Sequence, residues 1–103
     1  MATLREGIII GNNYVDQLKQ ASSELASMSQ DIINYLNGNS NFQIFREGTE
    51  KGEAIYNNLN TCVKTIIERL VPTIDNVSTT TSRMLNEQQQ LNRADKETRE
   101  EWV

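Results

Sequence analysis

VDQLKQASSELASMSQDIINYL, residues 15–36, is the stretch on which the fold turns. Its apolar positions Val15, Leu18, Ala21, Leu25, Met28, Ile32, Tyr35 and Leu36 recur at helical spacing, which places them on one stripe of an α-helix. Ser22 and Ser29 fall within that stripe, so it is thin in places, and small residues there let another helix approach closely. Upstream, residues 1–11 read as a short apolar lead-in ending at Gly11, after which Asn12 or Asn13 can cap the helix through a side-chain oxygen. The spacing predicts a first helix over about 12–37.

Downstream, Asn37-Gly38-Asn39-Ser40-Asn41 is expected to stop the helix, with Gly38 suited to a left-handed cap and a turn over 38–48. Phe42, Ile44 and Phe45 follow at once, and a turn so rich in large apolar groups is expected to fold back over the core. Thr49 reads as the cap of a second helix over about 49–95, whose first turn, with Gly52 and Glu53, is loosely specified. Its stripe runs Ile55, Leu59, Cys62, Ile66, Leu70, Thr73, Val77, Thr80, Met84, Leu91 in the four-three rhythm of a coiled coil. Pro72 lies inside it, removing a backbone donor and clashing with the preceding turn. The helix either kinks there or divides in two, and the rhythm crossing Pro72 in phase favours a kink. Residues 96–103 read as a polar tail, with Trp102 the exception. The fold class is therefore all-α: an antiparallel two-helix hairpin with a longer second helix.

The chain of 103 residues fits a single domain. Its 37% hydrophobic and 23% charged residues describe a water-soluble chain somewhat short of core material. A net charge of −4 and a pI near 4.8 argue against a nucleic-acid partner and against an anionic membrane surface, both of which need clustered Lys and Arg. One cysteine, Cys62, excludes an internal disulfide. No apolar run is long enough to span a bilayer, and Ile8-Ile9-Ile10 behind Glu6 and Gly7 is too short for the core of a signal peptide.

Little in the sequence speaks for catalysis. There is no histidine, the residue most used for proton transfer and metal ligation. Cys62 sits at a stripe position and reads as packing, not as a nucleophile. Gly48 and Gly52 flank a helix start without the lysine of a phosphate loop, and read as flexibility or close packing there. No catalytic, cofactor-binding or metal-binding residue is nominated, no cofactor is expected, and the chain reads as a binding protein, not an enzyme.

What is left over is apolar surface. Two paired helices bury only the stripes that face each other, and small domains without a staple tend to associate. Ile33, Ile67, Val71, Ile74 and Leu85 lie off the main stripes and widen the faces. Either they meet a partner in a four-helix-bundle-like dimer or complex, or they close against a third helical segment made by the lead-in. The residues expected to meet a partner are Leu18, Leu25 and Ile32 on the first helix and Phe42 and Phe45 in the turn. On the second helix they are Ile55, Leu59, Ile66, Ile67, Ile74, Val77 and Met84.

Over about residues 7–97 this layout resembles the Trp-Xaa-Gly (WXG) superfamily, the small early-secretory-antigen-like substrates of bacterial type VII secretion. The opening Val15-Asp16-Gln17-Leu18-Lys19-Gln20 and the Leu70-Val71-Pro72 step carry the likeness, with the Asn/Gly turn between. The Trp-Xaa-Gly turn itself is missing, its aromatic part falling to Phe42 and Phe45. The family's terminal export motif, an aromatic followed after three residues by an acid, is matched by Leu91 and Asp95, with Leu91 in place of the aromatic. Loss of the turn is similar to the small helical companions of toxins that carry an N-terminal helical LXG domain. The resemblance implies a targeting factor held in the bacterial cytoplasm before export and then secreted or kept at the cell surface. Its implied partners are an effector's helical domain, a second small companion or another copy of itself, with the secretion ATPase as a further one. Two other readings stay open: a secreted homodimer acting outside the cell, and a general coiled-coil adaptor.

Overall fold

The computed structural model describes residues 2–94, and every element among them is helical, with no strand. Helix α1 spans Leu4–Gly38, α2 spans Ser40–Gly48, α3 spans Gly52–Thr65 and α4 spans Val71–Ala94. A π-helical turn, Ile66–Leu70, joins α3 to α4 without a break: Ile66 and Val71 at its borders keep right-handed helical backbone.

The first helix begins earlier than its apolar stripe. Thr3, not Asn12 or Asn13, caps it, its Oγ1 accepting the Glu6 N–H at 3.1 Å. Asn12 lies inside the helix and donates from Nδ2 to the Ile8 carbonyl at 3.2 Å. The lead-in is therefore the first turns of α1, not a separate segment, and Ile8 is buried in it. A cap needs only one side-chain oxygen, and Thr3 offers it about three turns before the hydrophobic pattern becomes regular at Val15.

The 38–48 segment holds a helix where a turn is predicted. Asn39 starts it, accepting the Phe42 N–H at 2.9 Å, and Gln43 reaches back from Nε2 to the Leu36 carbonyl at 2.8 Å. Those two bonds satisfy polar groups at the α1–α2 corner, so Gly38 needs no left-handed conformation, and no glycine among the described residues has a positive φ. Thr49 closes α2 instead of opening the next helix, donating from Oγ1 to the Phe45 carbonyl at 2.8 Å.

Pro72 is absorbed by the π turn. The Val71 N–H bonds the Ile66 carbonyl five residues back, one residue wider than an α-helical bond. The widened turn takes up one extra residue just ahead of the proline, where the ring would otherwise press on the preceding turn. The helix continues through Pro72 from the π turn into α4, so the chain does not divide in two there.

Residues 2–94 fall into two compact units. One is built from the start of α1, up to Ala21, and from Ile74 onward; the other is residues 22–73. In the first, Leu85 lies against Gly11, where an added Cβ would come within 2.9 Å of Leu85 Cδ2. In the second, Tyr56 donates its hydroxyl to Asn37 Oδ1 at 2.8 Å and Ser22 Oγ meets the Val71 carbonyl at 3.4 Å. Ser22 thus faces Val71 at the start of α4, and Asn37 near the end of α1 faces Tyr56 in α3, so the two stretches run in opposite directions within that unit.

The buried positions on α1 are Ile8, Val15, Ser22, Ser29 and Ile33, with Leu36 half-buried, mostly seven residues apart. On the following elements they are Gly52, Tyr56, Val63 and Ser78, with Ile67, Val71, Ile74 and Leu85 half-buried. The seven-residue step from Tyr56 to Val63 becomes eight from Val63 to Val71 and seven again to Ser78 and Leu85. That single skip is the residue the π turn absorbs.

Candidate functional site

The inward seam is one residue out of step with the richest apolar stripe. Serines occupy much of it: Ser22 is 0% exposed, and Ser29 and Ser78 are buried too. A small side chain lets two helix backbones approach, and the hydroxyl can bond a carbonyl, as Ser22 does. The larger apolar groups are left outside. Met28 at 63% exposure, Ile32 at 48% and Tyr35 at 68% lie on α1; Ile55, Leu59, Cys62 and Leu70 are exposed on α3 and the π turn.

Within residues 22–73 these groups share a side. At about 100° per residue, Met28, Ile32 and Tyr35 lie roughly a quarter-turn or more behind the Ser22–Ser29–Ile33 seam of α1. Ile55, Leu59 and Cys62 lie about as far behind the Tyr56–Val63–Ile67 seam. Equal offsets of the same sense on two oppositely directed helices point to one side of the pair. The opposite offsets give an internal check: Gln30, Asn60, Lys64 and Glu68 meet at a cleft of about 250 Å³ floored by Ile33, Val63 and Ile67. That cleft side is polar, and the other side is apolar.

Helix α2 holds the end of this unit. Phe42 packs against Phe45 with ring centroids 5.8 Å apart and against Tyr56 at 6.3 Å. The Arg46 guanidinium stacks on the Tyr56 ring at 3.6 Å and grips Glu53 in a two-bond fork, 2.6 and 3.0 Å. Its hydrogen bonds hold the Glu53 carboxyl below the usual carboxylate range, and Glu53 in turn raises the guanidinium. Gly52 is buried where the α2 backbone passes, so of the two readings open for it, flexibility and close packing, it takes the second. Phe42 folds back as expected and is half-buried, while Phe45, packed on its ring, and Ile44 stay exposed.

In the other unit Ile10, Tyr14 and Leu18 are exposed on α1, and Val77, Met84 and Leu91 are exposed on α4. Of the residues expected to meet a partner, Leu18, Ile32, Phe45, Ile55, Leu59, Val77 and Met84 are exposed, and Leu25, Phe42 and Ile66 are half-buried. Ile67 and Ile74 belong to the seam instead. Among the off-stripe residues, Ile33 is buried and Ile67, Val71, Ile74 and Leu85 are half-buried, so it is they that close the chain on itself. Leu91 lies in the last turns of α4, while Asp95 and the polar tail lie outside the described residues.

Among the described residues no group of three or more His, Cys, Asp or Glu is placed to hold a metal ion, and no helix is long and apolar enough to cross a membrane. Comparison with protein-family models, with curated proteins and with solved structures returns no match for this chain.

Proposed function

We propose that this chain is a small helical adaptor, a chaperone-like targeting factor that covers the helical domain of a larger effector for export by type VII secretion. Its fold in that role is a two-helix hairpin that completes a four-helix-bundle-like complex. The carrying observation is the set of large apolar side chains held outside a serine-lined seam, Met28, Ile32 and Tyr35 with Ile55 and Leu59. Fully burying one such side chain contributes roughly 1.5–3 kcal/mol, so several together favour a helical protein partner. The likeness to WXG-type companions supplies the secretion context, the localisation and the Leu91–Asp95 signal. The secretion ATPase would read that signal.

Co-expression with the effector from the native host tests the reading. The two should purify as one complex, and Leu91→Ala or Asp95→Ala should stop export while leaving the complex intact. Normal export of both variants would show that the signal assignment is wrong. Failure to form any complex with a helical-headed effector would remove the adaptor role itself.

A further inference from the structure

We infer that the Asn37-Gly38 step at the end of α1 is a modification site, at which Asn37 loses its side-chain amide to water. The hydroxyl of Tyr56 is the lock that holds this reaction back. Asn37-Gly38 is the only Asn-Gly step in the chain. Such a step is the most labile that an asparagine can form. Glycine has no side chain to shield its backbone nitrogen, and it lets the peptide turn into the geometry of attack.

The chemistry needs only water. The Gly38 nitrogen, having lost its proton, attacks Cγ of Asn37, so that a new N–Cγ bond forms. The Cγ–Nδ2 bond then breaks, and the amide takes up a proton and leaves as ammonia. Water opens the resulting five-membered imide at either of its carbonyls. One opening leaves aspartate at 37. The other leaves isoaspartate, in which the main chain runs through the former side chain and is one carbon longer. Nothing is oxidised or reduced.

The fold opposes the attack in two ways. Gly38 is the last residue of α1, so its N–H points back along the helix toward a carbonyl four residues earlier. Asn37 Oδ1 accepts the hydroxyl of the buried Tyr56 at 2.8 Å, and the side chain cannot swing onto the Gly38 nitrogen without giving up that bond. Around Gly38 the space is open, since an added Cβ would meet nothing within 4 Å, and water reaches the step once the lock lifts. Helix ends open far more readily than whole chains unfold, so the site is gated by the last turn of α1.

The two products differ in effect. Aspartate at 37 still accepts the Tyr56 hydroxyl and stands beside the ring on which Arg46 stacks. Isoaspartate disrupts the last turn of α1, and with it the corner where Asn39 caps α2 and Gln43 reaches the Leu36 carbonyl. The isoaspartyl form therefore loosens α2. This inference does not depend on the secretion reading.

Ageing of the full chain in mildly alkaline buffer, followed by peptide mass mapping and enzymatic methylation of isoaspartate, tests it. In full denaturant Asn37 should be the first asparagine lost, and Gly38→Ala should remove that lead. In native buffer the loss should be slower. It should quicken at denaturant concentrations below the global unfolding transition, where the helix end opens alone. Tyr56→Phe should raise the native rate by about two- to tenfold, the worth of one hydrogen bond, and leave the rate in denaturant unchanged. If Tyr56→Phe fails to fold, the wild-type rates below the transition decide. Asn37 lost no faster in denaturant than the other asparagines overturns the site. A wild-type rate that stays flat until the global transition, or a folded Tyr56→Phe chain no faster than wild type, overturns the lock.

Discussion

A methyl group added at Gly52 would fall 2.5 Å from the Phe45 carbonyl oxygen, 2.6 Å from that of Arg46 and 2.7 Å from Arg46 Cα. All three are backbone atoms, so nothing can swing aside. Alanine improves helix propensity by up to about 1 kcal/mol, but forcing α2 off α3 costs typically about 1–3 kcal/mol. Gly52→Ala should therefore destabilise the chain, by about 1–2 kcal/mol in denaturant unfolding, and loosen the Arg46–Glu53 fork. The same substitution at Gly48, where nothing lies within 4 Å, should be tolerated. At this scale the sequence was partly readable. The Gly48 and Gly52 pair pointed to flexibility or close packing, but only three-dimensional contact separates the crowded glycine from the open one. Thr3 and Asn39 were missed as caps because each is a single residue whose effect depends on a backbone turn the pattern does not encode.

The long helices were legible from periodicity, whereas the short α2 and the rotation of the long helices were not. Hydrophobic spacing finds the stripe of largest apolar content, here Leu18, Ile32, Ile55, Leu59 and Met84. Packing chose the neighbouring stripe, with its serines, because small residues let the helices approach and leave the bulky groups for another surface. The π turn belongs to this scale as well. The eight-residue step from Val63 to Val71 requires one extra residue whatever stands at 72, so Pro72 is accommodated by the turn and is not its sole cause. Pro72→Ala should therefore keep the π turn and raise stability, by about 1 kcal/mol, since it restores a backbone donor and removes a ring, with helicity by circular dichroism not reduced. Destabilisation would mean that the proline itself holds the turn in place.

For the molecule as a whole, Ile8, Val15, Ile33, Tyr56 and Val63 are the buried apolar side chains among the described residues, a thin interior for a chain with no disulfide. Its stability should be correspondingly modest and linked by mass action to whatever covers the exposed face. In the single folded chain this face is uncovered. Its most direct measurement is the fluorescence of an apolar dye added to the chain at a dilution where it is monomeric and still helical. The account predicts strong dye binding that drops when Met28, Ile32 and Leu59 are replaced together by glutamine, with helicity retained. A helical monomer that leaves the dye dark would contradict it.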